Sequence, residues 1–213
     1  TFGMMSTFST YFGHHISTIE GGFISTDDFQ LYELLLSLRS HGWDRDLSKK
    51  TQRNLQKEWN VSEFDAMYTF YYSGYNLRST DLQAYIGLSQ IDKLDSWGLT
   101  RAMNFNLYQQ NIKNNYWKVN PQTNSFISNF AYPVIHPDRD RIVDELHKNN
   151  IEVRPMICGS MGTQPFYVKK YGRLELPNVS IIDKYGFYLP NNPHLTEKEI
   201  LTICDLINRV INE

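Results

Sequence analysis

Residues 196–210 constrain the fold most. Thr196 and Glu199 have the spacing of a capping box, and Ile200, Ile203, Cys204, Ile207 and Val210 fall on one face of the helix they begin. A helix with a single apolar face is stable only when that face is buried against another layer. The residues ahead of it supply one: a strand over 126–134, a helix over 138–148 and a strand over 152–156. The order strand, helix, strand, then helix predicts a small α/β or α+β domain.

The first part of the chain reads differently. Thr7 to Tyr11 forms a short β-type run stopped by Gly13, and Gly21-Gly22 marks a tight backbone passage before a second strand at Phe23-Ile24-Ser25. Asp27 and Gln30 resemble a capping box, and Leu31, Leu34, Leu35 and Leu38 give helical spacing over 27–40, ended by Gly42. Residues 43–60 are charged without a clean period and read as a mobile or partner-facing segment. Thr80 and Gln83 are a further capping box, predicting a helix to about Ser96, with another from Thr100 to Asn114. The polar stretch Tyr116–Ser125, with Pro121, sets a domain boundary: 1–115 on one side, 116–213 on the other.

Charge and cysteine usage exclude several classes. Lys+Arg 21 against Asp+Glu 23 leaves a net charge of −2, with no basic surplus for nucleic acid or an anionic membrane. No apolar run is long enough to cross a bilayer. Two cysteines, Cys158 and Cys204, form no C-x-x-C pair and fit a reducing cytoplasm. The chain opens at Thr1-Phe2-Gly3 in mid-pattern, which predicts a fragment of a longer product.

Chemistry concentrates in Ser9-Thr10-Tyr11-Phe12-Gly13-His14-His15-Ile16-Ser17-Thr18-Ile19-Glu20-Gly21-Gly22. Neighbouring histidines in extended chain point to opposite sides, so they do not share one metal, and His41, His136, His147 and His194 show no ligand spacing. No metal is expected. Neither G-x-x-x-x-G-K-[ST], G-x-G-x-x-G nor G-x-S-x-G occurs.

Ser9-x-Tyr11-x-x-His14-His15, followed by Glu20-Gly21-Gly22, resembles the cofactor segment of the DegT-type sugar-nucleotide aminotransferases. Further matching strings are Leu38-Arg39-Ser40-His41-Gly42, Gly74 to Ala84, Arg154 to Met161, and Leu189 to Thr196. The resemblance implies an α/β fold, the C-terminal part of a fold-type I transferase using pyridoxal 5′-phosphate (PLP): the remainder of the large domain plus the small α/β domain. The N-terminal half, with the aspartate that pairs with the pyridine nitrogen, is expected to be absent.

Most members carry the Schiff-base lysine where this chain has His14. That replacement resembles the branch of sugar 3-dehydratases. One group there holds an iron–sulfur cluster, which two cysteines cannot ligate, so none is expected. The resemblance thus implies C3 dehydration of a nucleotide-linked 4-keto-6-deoxy sugar, with glutamate converting PLP to the aminated form (PMP). The alternatives are a DegT-type sugar aminotransferase or a non-catalytic piece of that fold.

The site residues come from the same resemblance. His14 is the base, since imidazole exchanges protons near neutral pH. Ser9 and Asn76 bind the cofactor phosphate, Asn76 from the neighbouring subunit of a homodimer with shared sites. Arg45, Arg78, Glu152 and Arg154 are substrate contacts.

Overall fold

The computed structural model describes residues 2–120 and 125–212. It divides into two compact units, one up to Asp92 and one from Lys93. In the first, β1 (Ser6–Ser9) and β2 (Gly22–Ser25) form an antiparallel hairpin in the register Ser6↔Ser25 to Ser9↔Gly22. Next in the chain come α1 (Phe29–Leu38), α2 (Lys49–Glu58), a 3-10 turn at Asp65–Tyr68 and α3 (Asp81–Ile91).

The start of α1 lies one residue later than the sequence pattern predicts. Asp28, not Asp27, is the N-cap, accepting from Gln30 N at 2.8 Å and Leu31 N at 3.1 Å. The charged segment over 43–60 is not irregular either, because Ser48 caps α2 through Thr51 N. Glu33 of α1 completes that cap: Ser48 N and Thr51 Oγ1 both donate to its buried carboxylate. Burial alone would raise the Glu33 pKa, but the hydrogen bonds from Thr51 and Ser48 outweigh it and lower it.

The second unit comprises α4 (Leu94–Asn111), β3 (Ala131–Ile135), α5 (Arg139–Lys148), β4 (Arg154–Pro155), a 3-10 turn at Met161–Thr163, α6 (Pro165–Tyr171), α7 (Pro177–Tyr185), β5 (Gly186–Pro190) and α8 (Glu197–Asn212). Its sheet runs β3-β5-β4 with both pairings antiparallel. The central strand, β5, is absent from the sequence reading: Phe187 and Leu189 alone bury large side chains, and α7 runs straight into it. α8 packs on α4 and α5, burying Ile200, Ile203, Cys204 and Ile207 among Phe105, Tyr108, Ile142, Leu146 and the inner sheet face. Tyr108 stacks on Tyr132 at 5.0 Å and donates its hydroxyl to Pro190 O at 2.9 Å.

The helix beginning at Thr80 breaks at Asp92-Lys93 rather than beyond Ser96, and the two compact units part there. α4 belongs to the second unit because Phe105, Tyr108 and Ile112 enter its core. Within the boundary stretch at Tyr116–Ser125, residues 121–124 lie outside the described residues. No described helix is long and apolar enough to cross a membrane.

Candidate functional site

The loop joining β1 to β2 is built from its buried threonines outward. Thr10 N donates to Gly21 O at 2.9 Å, Thr18 N to Thr10 O at 2.8 Å and Phe12 N to Ile19 O at 3.0 Å, so the hairpin ladder continues past the strands. The Thr10 and Thr18 hydroxyls bond each other at 2.6 Å in the interior. Gly21 is required beside them: at φ +151° a Cβ would lie 2.7 Å from Thr10 Oγ1 and 2.8 Å from Thr18 Oγ1. The Ser9 hydroxyl oxygen, at the root of the loop, accepts from Tyr11 N at 3.2 Å and is exposed.

At the head of the loop His14 N donates to Tyr11 O at 3.1 Å, closing a turn through Gly13 at φ +94°. The His14 ring is half-buried and meets Tyr11 edge-on with centroids 6.1 Å apart. Nothing would lie within 4 Å of a Cβ at Gly13, so the space over that glycine is open.

A second cluster of the same unit forms where the segment after α1 is zipped to residues 71–77. Tyr75 N donates to Leu38 O at 2.7 Å, His41 N to Tyr75 O at 2.7 Å and Leu77 N to Arg39 O at 2.9 Å, with a bridge between Ser40 and Asn76. Gly42, at φ +85°, allows this approach, since a Cβ there would run into Tyr72 O. The result is an aromatic platform. Trp43 stacks on Phe70 at 5.3 Å and meets His41 at 4.9 Å. The Arg45 guanidinium lies 3.8 Å from the Trp43 ring centroid and that of Arg78 lies 5.6 Å away. Arg45 Nη2 also donates to Met67 O at 2.5 Å. Arg45 and Arg78, far apart in sequence, therefore share one exposed surface, and the exposed Asn76 lies two residues before Arg78. Trp43 is the member that the sequence reading passes over; its signal is an aromatic two residues before an arginine.

In the second unit Glu152 and Arg154 form a single exposed pair. Arg154 Nε and Nη2 donate to Glu152 Oε1 at 2.9 and 2.6 Å. Among the described residues no three His, Cys, Asp or Glu side chains gather in a metal-binding arrangement.

The sequence pattern of the DegT/DnrJ/EryC1/StrS aminotransferase family matches residues 1–208. The chain belongs to this family. Among curated relatives, the GDP-4-keto-6-deoxy-D-mannose 3-dehydratase of Yersinia pseudotuberculosis is 29% identical over 98% of this chain and 55% of its own length. The enzyme of the same name from Escherichia coli O55:H7 is 32% identical over 90% of this chain and 51% of its own. A solved GDP-4-keto-6-deoxymannose-3-dehydratase with a trapped PLP-glutamate geminal diamine superposes with a TM-score of 0.82 at 29% identity, covering 97% of this chain and 55% of that one. The chain thus has part of the fold of the type I PLP-dependent transferases and spans about half the length of the curated relatives it matches.

Proposed function

We propose that this chain carries the proton-transfer and sugar-nucleotide-binding residues of a PLP/PMP-dependent 3-dehydratase, which removes the C3 hydroxyl of a nucleotide-linked 4-keto-6-deoxy sugar with glutamate as amino donor. The observation that carries this reading is the residue at the head of the β1–β2 loop. It is the imidazole His14, in a stretch with no lysine before Lys49. An amine there would tether the cofactor covalently; an imidazole cannot, but it takes and returns a proton near neutral pH.

The residues present fit the cofactor. The Ser9 oxygen is occupied by Tyr11 N, which leaves its O–H to donate to a phosphate. Gly13, next to His14 in the chain, adds no side chain to the head of the loop, and a Cβ there would meet open space. When bound, the cofactor supplies the electron sink that lets the C3 hydroxyl depart. His14 holds and moves the proton, and the ladder beneath it fixes where that proton is taken and returned. Asn76 donates to the cofactor phosphate of the neighbouring subunit in a homodimer. Arg45 and Arg78, aligned on Trp43, present two cations to the diphosphate of the nucleotide sugar. Glu152 and Arg154 act as a pair, with further guanidinium donors left for the nucleotide. The contact to the pyridine nitrogen belongs to the part of the relatives that this chain does not span, so the activity is that of the longer protein.

The test gives the longer protein PLP, glutamate and GDP-4-keto-6-deoxymannose and identifies the product by mass spectrometry. A 3-deoxy sugar is expected, and His14→Asn lowers its rate by about 10²–10⁴-fold. His14→Lys diverts turnover to the 4-amino sugar. A 4-amino sugar as sole product of the unmodified protein would replace this reading with plain transamination.

A further inference from the structure

The His14 loop contains a backbone outlier. Ile19 sits at φ +72°, in the left-handed region that a β-branched side chain rarely enters. Such a residue persists only where its surroundings over-determine it, and outliers of this kind cluster at functional sites. Here the surroundings are one face of α3. Gln90 forms a two-way amide pair with the backbone of Ser17: its Nε2 donates to Ser17 O at 2.7 Å, and Ser17 N donates to its Oε1 at 3.0 Å. Gln83 Nε2 donates to Glu20 O at 2.6 Å. The two glutamines therefore grip the chain on either side of Thr18-Ile19.

Gln83 and Gln90 stand two helical turns apart on one face, with Gly87 between them. Gly87 is buried, and a Cβ there would lie 3.2 Å from Thr18 Cγ2, so the missing side chain lets the loop lie against the helix. From this seat the path to the histidine is short. Thr18 N reaches Thr10 O, Phe12 N reaches Ile19 O, and His14 N reaches Tyr11 O.

We infer that Gln83, Gly87 and Gln90 are positioning residues for His14. They anchor the return limb of its loop, and the cross-ladder transmits that anchorage to the imidazole. The inference rests on the assignment of His14 as the base, and its test keeps the two apart.

The test uses two variants of the longer protein. Gln90→Leu removes both bonds to Ser17. Gln83→Glu keeps an acceptor for Thr80 N, and so keeps the helix cap, but has no proton for Glu20 O. Amide exchange at Ser17, the imidazole NMR signals of His14, and kcat and KM are measured for each. In Gln90→Leu, exchange at Ser17 is expected to quicken about tenfold. The His14 signals shift or broaden, and kcat falls about 100-fold, the cost of a misplaced catalytic group, while KM stays within a factor of about three. Gln83→Glu moves the same readouts in the same direction with the α3 amides still protected. In Gln90→Glu either form of the carboxyl accepts from Ser17 N, but only the protonated form donates to Ser17 O, so the His14 signals are expected to move back toward their original positions as pH falls through the introduced carboxyl.

Faster Ser17 exchange with His14 signals and kcat at their original values would reduce the glutamines to structural supports and overturn the inference. Unchanged Ser17 exchange in both main variants would also overturn it. If the unmodified protein forms no 3-deoxy sugar, the dehydratase reading falls, while the exchange and imidazole signals still decide the positioning role.

Discussion

The two units bury apolar and polar residues in different proportions. From Lys93 onward a layered apolar core, in which Phe105, Tyr132, Phe187, Leu189, Ile200 and Ile207 are at most 1% exposed, outweighs the buried polar residues Arg101, Asn104, Asn115, His136, Ser160 and Asn191. Up to Asp92 the described buried apolar residues are Leu47, Leu55 and Ala66, and they are joined by Thr10, Thr18, Glu33, Ser37, Ser40 and Asp44. Large apolar side chains of this unit, among them Phe8, Phe23, Phe29 and Tyr75, are exposed. Apolar burial is non-directional and sets stability, whereas hydrogen bonds are directional and set geometry. The unit with His14 and the Trp43 platform is held by the second kind of force, which suits a loop whose task depends on orientation.

That contrast can be broken by mutation. The largest effect is expected from Leu146→Ala in α5, which empties a fully buried site and costs about 2–5 kcal/mol. Urea denaturation followed by the stability of β3 and α8 amides measures it; a cost as small as that of a surface change would remove the apolar half of the comparison. Next comes Gly42→Ala, which forces a side chain into Tyr72 O at a positive φ and costs about 1–3 kcal/mol. Amide exchange at His41, Tyr71 and Tyr75 should rise while the second unit keeps its protection. Thr18→Val deletes the hydroxyl shared with Thr10 and leaves that buried group short of a partner, at about 1–2 kcal/mol. A threonine pair that can be replaced by valine without cost would show that polarity in this loop is incidental.

The smallest effect is a drift with acid. Burial lowers the pKa of His136, with Asp138 opposing, so the unfolded chain protonates first. The stability of the second unit is whole above 6.5 and declines as pH falls from there through the lower folded value. Glu33 is also lowered, so its contribution holds above 4.5 and is lost only below it. Amides of β3 and α5 are expected to loosen first on acidification, those at the start of α2 later, and Glu33→Gln should abolish the later step alone.

Legibility in the sequence divides along the same line. The capping boxes at Thr80/Gln83 and Thr196/Glu199 are present as the spacing implies, since each is a local bond between near neighbours. α8 is legible because its apolar face matches one continuous core. α2 is hidden because its support, Glu33, lies on another helix, and β5 because a five-residue strand gains its identity from two flanking partners. At the site, the motif points to Ser9, His14, Asn76, Arg45 and Arg78. Trp43, Gln90 and the bond from Gln83 to the loop are invisible to it, because they rest on contacts between segments distant in sequence.

Gln83 couples two events. Its oxygen closes the first turn of α3 on Thr80, and its nitrogen holds the carbonyl of Glu20. Winding of that turn and seating of the loop are therefore linked through one side chain. Heat, denaturant or a macromolecule that pries open residues 79–82 is thus expected to loosen the return limb of the histidine loop at Glu20 without touching it, by a lever one side chain long.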